Sequence, residues 1–354
     1  MRLLAATWDG AGNLEPVAAV IAALVERGHE VHVLAHDVQR PTLEAVGATF
    51  VPFETAPQWD QGVAGSMGED PIATFTRFDP AASADLLALA KRFGPSVVLV
   101  DCMLPSALTA AKGAGYRTVA CVHALYSFFC EYLGGLFRGP IDAADLALGL
   151  TYEAFDRGAE TPPNLHFVGP VRRELEVSKW ARRSPGRPLV VASLSTGRQG
   201  DGQQPLLQRI CDALAMLGVE ALVTTGRGIA PETLRAGSDT VVERLVPHDA
   251  VLPQADLLIT HGGHGTVMAA LRYGVPMLCL APRADQPLNA ARVADLGLGL
   301  SLDPASSVEA ISEGARTILA NADFKTRSRA FAYDAAKSPG IETGIELVEA
   351  LAAR

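Results

Sequence analysis

Short apolar runs alternate with helical periods along nearly the whole chain, and that rhythm restricts the fold more than any other feature. The opening run "RLLAAT" leads into an amphipathic stretch over 14–27, then "EVHVLA", a short helical segment and "ATFVPF". Strands of this length separated by helices form βαβ units, and those units build parallel sheets. Over 54–80 the pattern fades into glycine, proline and acidic residues, a composition that predicts a surface excursion. It resumes with a helix expected over 82–93, the strand "SVVLVD", a helix after Pro105 and the strand "RTVACV".

The rhythm then restarts. Residues 162–188 gather prolines and arginines around one short strand-like run, as a linker does. Beyond them come "PLVVASL", a helix from Gln203, "EALVTT", "TVVERL", "ADLLIT", a helix from Gly265, "VPMLCLA", a helix from Gln286 and "LGLSL". With 354 residues the chain exceeds what one core usually serves. The expectation is an α/β protein of two doubly wound, Rossmann-like domains facing across a cleft: residues 1–165, a linker over 166–188, and 189–322. Ligands in such sheets gather at the carboxyl ends of the strands.

Composition removes several partner classes. A formal charge of −9 with 19% charged residues lacks the basic excess that nucleic-acid binding needs. The apolar run at the N-terminus is short for a signal peptide, and no stretch has the length of a membrane span, so a cytoplasmic protein is expected. Cys102, Cys121, Cys130, Cys211 and Cys279 are odd in number and widely spaced, which predicts reduced thiols.

The segment "ITHGGHGT", residues 259–266, joins a strand end to a glycine turn and a helix start. Glycines there let a ligand approach the exposed amides of the helix N-terminus, an anion site. His261 and His264 are spaced as metal ligands could be, yet no cysteine or further histidine pair accompanies them. The G-x-S-x-G elbow of a hydrolase is absent. A plain helix-capping loop is the structural alternative. Further on, "APRADQPLNAARV" sets Asp285 and Gln286 at a strand end, ahead of Asn289. An acid beside an amide suits the vicinal hydroxyls of a sugar, and equally a solvated helix cap.

Together these motifs, in "VERLVPHDAVLPQADLLITHGGHGTVMAALRYGVPMLCLAPRADQPLNAARVADLGLG", resemble family 1 glycosyltransferases of the GT-B fold, in particular bacterial enzymes that glycosylate natural products. The resemblance implies that His261 and Thr266, with the amides of Gly263 and Gly265, hold the diphosphate of an NDP-sugar, with Ser195 and Thr196 as a further phosphate contact. It implies that Asp285 and Gln286 bind the sugar and that the main chain of Val246 meets the base. Leu245 stands where many relatives have tryptophan. The C-terminal helices, over 323–354, are expected to return to the first domain. No cofactor or metal is implied, because helix-end amides and the His261 imidazole stabilise the leaving group. A homodimer stays open as an oligomeric state.

The first half departs from that family. The turn "WDGAGNLEP" carries Asn13 where relatives place a histidine or aspartate base, and an amide takes no proton near neutral pH. Asn13 is also a good helix N-cap. Nor is the turn a dinucleotide fingerprint, since Glu15 stands in the place of the third glycine. If the chain is catalytic, the candidates for base are Asp101, which resembles the carboxylate that orients the missing histidine, then Asp9, then His123. An acidic phenol or an activated aromatic carbon would ask little of a base. "HALYSFFCEYLGGLF", residues 123–137, suggests an apolar acceptor surface from His123, Tyr126, Phe128, Phe129 and Tyr132, with Trp59, Phe75 and Phe78 as a lid; a core helix is the alternative. The function implied is an inverting transfer of sugar from a dTDP or UDP donor to a hydrophobic, aromatic small molecule, through an O- or C-glycosidic bond. A catalytically silent sugar-nucleotide-binding helper and an NDP-sugar epimerase are the alternatives.

Overall fold

A computed structural model describes residues 1–10, 12–60, 63, 67, 71–131, 135–156, 160–173, 178–194 and 203–354. The chain forms two compact units, Met1–Glu174 joined by Ser338–Arg354, and Leu175–Lys337.

In the first unit the strands are β1 (Arg2–Ala6), β2 (Glu30–Ala35), β3 (Thr49–Pro52), β4 (Val97–Asp101), β5 (Thr118–Val122), β6 (Leu146–Gly149) and β7 (Leu165–Phe167). Its helices are α1 (Leu14–Glu26), α2 (Arg40–Ala45), α3 (Pro71–Phe93), α4 (Pro105–Gly113), α5 (Tyr126–Glu131) and α6 (Arg138–Ala143). All strand pairs are parallel, in the order β3-β2-β1-β4-β5-β6-β7. The period of two is visible in the core: Leu4, Ala6, Val98 and Val100 face one apolar layer, while Leu3, Ala5, Val97 and Leu99 face the other.

The second unit holds β8 (Leu189–Ser193), β9 (Glu220–Thr224), β10 (Thr240–Glu243), β11 (Leu257–Thr260), β12 (Met277–Leu280) and β13 (Gly299–Leu302). Its helices are α7 (Gln203–Ala215), α8 (His248–Val251), α9 (His264–Tyr273), α10 (Gln286–Asp295), α11 (Val308–Ala320) and α12 (Ala322–Ala335). This sheet runs β10-β9-β8-β11-β12-β13, again parallel. Strand order reverses direction between β1 and β4 in one sheet and between β8 and β11 in the other. Those two crevices are where a doubly wound sheet receives ligands.

Three expectations change. Helix α3 begins at Pro71, so much of the presumed surface excursion is helical. Pro80 forfeits one backbone bond inside it, but Phe78, Ala82 and Leu86 bury on the helix and hold it through the proline. Two acids of helix α3 anchor neighbouring loops. Asp79 accepts the Ser106 N–H at 3.1 Å ahead of α4, and Asp85 accepts the amides of Glu54, Thr55 and Ala56 after β3.

The presumed linker is also partly built in. β7 occupies its start, and further on the Trp180 amide bonds the Ala250 carbonyl while Arg182 pairs with buried Glu220 at 3.1 Å. Finally, of the C-terminal helices only α13 (Gly340–Ala353) joins the first unit; α12 packs on α9 in the second. Ile345 and Val348 of α13 are fully buried in the layer that contains Leu146 and Leu148. All five cysteines are free, and Cys130 alone is less than fully buried. No helix among the described residues is long and apolar enough to cross a membrane.

Candidate active site

The second unit's crevice is assembled by glycines. Past β11 the Gly262 amide donates to Thr260 Oγ1 at 3.2 Å, and Gly262 takes φ +81°, which a side chain would resist. Gly263 has an ordinary φ, but a Cβ on it would stand 2.5 Å from His261 Nε2. Gly263 is therefore glycine to seat the imidazole. Helix α9 starts directly behind, its first bonds running from the Thr266 and Val267 amides to the Gly263 carbonyl, which leaves the Gly265 amide at the open helix end.

His261 Nδ1 is buried with no hydrogen-bond partner among the described residues. Burial pushes this imidazole down to about 4, with the Arg283 guanidinium and His248 adding to the shift. It is neutral at pH 7 and can donate one N–H to an anion. His248, whose Nε2 lies 3.3 Å from Ser193 Oγ, and the Arg283 guanidinium complete a polar rim that the site motifs alone did not single out. Both lie inside the stretch that carries the resemblance, and basic side chains flanking a glycine turn were the available signal.

Asp285 caps α10, and its Oδ2 accepts from Asn289 Nδ2 at 2.9 Å; the same amide donates to the Gly262 carbonyl at 2.9 Å. Asn289, fully buried, thus ties the sugar-binding candidate to the glycine turn. Gln286 Oε1 lies 3.3 Å from the Arg283 amide, bracing a loop in which Ala284 adopts φ 55°. A non-glycine residue there stores strain of about 1 kcal/mol. Val246 is half-buried, and the preceding Leu245 is 45% exposed. Ser195 and Thr196 lie outside the described residues.

The first unit's crevice contains a closed polar network. Asp101, at the end of β4, is fully buried. Its Oδ1 accepts the Met103 amide at 2.9 Å and lies 2.9 Å from His123 Nε2. Its Oδ2 accepts from Asn13 Nδ2 at 2.7 Å and from Thr7 Oγ1 at 2.9 Å. Asn13 also donates to the Trp8 carbonyl at 2.8 Å, while its Oδ1 accepts the Gly10 amide at 3.1 Å. It caps no helix amide through its side chain. The His123 imidazole holds the Asp101 carboxyl below its usual range, against the opposing pull of burial. Against the opposing pull of burial, Cys102 and the Asp101 carboxylate together raise the imidazole well above its ordinary value.

Comparison with known proteins agrees with this architecture. Residues 208–353 match the family model described as "Erythromycin biosynthesis protein CIII-like, C-terminal domain", and residues 17–157 match "Glycosyltransferase Family 4". The chain is 26% identical to 4'-demethylrebeccamycin synthase of Lentzea aerocolonigenes over 99% of both chains. Among solved structures it resembles the calicheamicin glycosyltransferase CalG4 with a TM-score of 0.82 at 19% identity, over 100% of this chain and 98% of that one. The chain is a GT-B glycosyltransferase. The full-length relative named above is a natural-product enzyme. The glycosyltransferase VinC, solved in complex with dTDP, matches the full length of both chains with a TM-score of 0.77 at 20% identity.

In this transferase several sequence candidates occupy other surroundings than expected. Trp59, Tyr126 and Phe129 are core side chains: the Trp59 indole donates to the Asp9 carbonyl at 2.8 Å, and the Tyr126 hydroxyl donates to Asp142 at 2.5 Å. Of the expected lid, Trp59 and Phe78 instead pack around His36, their rings 4.2 and 4.9 Å from the imidazole, while Phe75 lies against Trp8 at 5.0 Å. Large aromatic rings bury where the sheet leaves room, and periodicity alone does not say which side of a helix does so. Phe128 and His123 stay partly exposed, while Tyr132 lies outside the described residues. Asp9 is buried.

Proposed function

We propose that the transferase moves a sugar, with inversion and without a metal, from a dTDP- or UDP-sugar to a hydrophobic, aromatic natural-product acceptor, forming an O- or C-glycosidic bond. The observation that carries the donor half is the neutral His261 imidazole, its Nδ1 unpartnered, beside the open end of α9. A diphosphate accepts what this site offers: an imidazole N–H, a helix-end amide and the flanking charge of Arg283, with His248 nearby. The dTDP seen in VinC supports a thymidine donor. Asp285 and Gln286, braced by Asn289 and the Arg283 amide, are the proposed partners of the sugar hydroxyls. Such preorganised groups lower the barrier where negative charge grows on the departing diphosphate, which is the work a metal would otherwise do.

Incubation of the purified protein with dTDP- and UDP-sugars and a panel of polycyclic phenols, read by fragmentation mass spectrometry, tests the reading. A new glycoside is the expected product, and His261→Ala should lower turnover by about 10²–10³-fold while circular dichroism is unchanged. Nucleotide binding with no glycoside from any acceptor would indicate a silent helper. Interconversion of sugars in a donor-only incubation would indicate an epimerase.

A further inference from the structure

Asn13 stands where an acceptor-deprotonating group is expected, and the network around it shows which of its neighbours can take over. Both Asp101 oxygens are occupied twice, by Met103 and His123 on one side and by Asn13 and Thr7 on the other. The Asp101 side chain is 0% exposed, while that of His123 is 12% exposed. A sealed carboxylate with its lone pairs engaged cannot meet an acceptor, and an amide cannot take its proton. The imidazole alone in this network both titrates and reaches the surface.

We propose that His123 is the general base of the transfer and Asp101 its positioning residue, so that the dyad is built across β4 and β5 instead of from α1. This rests on the transferase reading above. Nε2 lies 2.9 Å from Asp101 and the Cys102 thiol also bonds the ring, so in this proposal the acceptor hydroxyl approaches the imidazole on its partly exposed side. In the step, the neutral imidazole takes the acceptor O–H proton and the freed oxygen pair forms the bond to the anomeric carbon. The bond from that carbon to the diphosphate oxygen breaks, and its electron pair leaves with the nucleotide. The imidazolium then returns its proton to solvent, restoring the base.

Asp101, Cys102 and His123 also lie close enough together to resemble a metal set. The four hydrogen bonds already taken by Asp101 argue for a proton-handling cage, as does the Cys102 thiol, which burial pushes up and keeps protonated. Among the described residues the titratable groups that act on the His123 ring are Asp101 and Cys102, and from α5 the uncharged Phe129 ring lies 6.4 Å away at 89°.

The test uses the full chain, one sugar donor and phenols of graded acidity. His123→Gln should lower kcat by about 10²–10⁴-fold for weakly acidic phenols and far less for strongly acidic ones, which ionise unaided. Binding of dTDP should be unchanged. Because Asp101 raises the imidazole, the wild-type acid limb of kcat/KM should lie above pH 6.5, and Asp101→Asn should move it downward. An equal loss across the phenol series, or an acid limb unmoved by Asp101→Asn, overturns the proposal by assigning His123 a structural role. Full activity of His123→Gln does so too. A wild type that glycosylates none of the phenols while binding dTDP would instead overturn the transferase reading itself.

Discussion

One carboxylate, Asp101, is shared by an amide and an imidazole, and the difference between those partners is the chemistry of the first crevice. Asn13 spends its donors on Asp101 and the Trp8 carbonyl and its acceptor on the Gly10 amide, so it clasps the turn after β1. In the second crevice one missing atom matters as much. Gly263→Ala keeps an allowed backbone but drives a Cβ into the His261 ring, which must swing away. A lost hydrogen bond to a charged group is worth about 1.5–3 kcal/mol, so dTDP affinity should fall roughly ten- to a hundredfold by titration calorimetry. His36 supplies a contrasting case. Burial among aromatic rings pushes it down to about 4. The unfolded chain therefore takes up this proton first, and the stability present above pH 6.5 is lost as pH falls toward 4, roughly 2 kcal/mol of it by pH 5. Urea titrations of His36→Phe at pH 7 and pH 5 should show a smaller difference than wild type, with His261 supplying part of the remaining slope.

At the level of elements, the strands were readable because parallel strands buried on both faces are unbroken apolar runs. The same holds for α9, bounded by Gly263 ahead and by Gly274 in the left-handed conformation behind. Helix α3 was only half readable: Pro80 and a weakly apolar first half disguise a helix that packing on the core maintains. Helix α13 shows the converse, an obvious amphipathic helix whose destination no local pattern states. It is held on the first unit by Ile345 and Val348, and at its rim by Arg27 and His29 on Glu349, at 2.5 and 2.8 Å. Those exposed ion pairs contribute little; the buried side chains carry the docking. Ile345→Ala should cost about 2–5 kcal/mol, read as a lower urea midpoint.

Over the whole molecule, two sheets of one winding each offer a crevice where strand order reverses, and each crevice is furnished differently: an anion-binding turn in one, a proton-handling network in the other. Hydrogen exchange should separate them. Adding dTDP should slow the amides of 261–266 and 283–289 and leave 7–13 and 101–103 unchanged; protection confined to the first unit would reverse the assignment of the donor site. The sequence by itself determined the βαβ rhythm, the restart after the arginine-rich segment, the glycine turn and the presence of Asn13, because periodicity, glycine and a missing titratable group are local properties. Only the tertiary structure decided that Trp59, Tyr126 and Phe129 are core, that Asn289 joins two motifs, and that His123 is the imidazole on Asp101. Burial and saturation of a hydrogen-bonding group depend on which distant residues surround it, and the order β2-β1-β4-β5 brings Thr7, Asn13, Asp101 and His123 to one point.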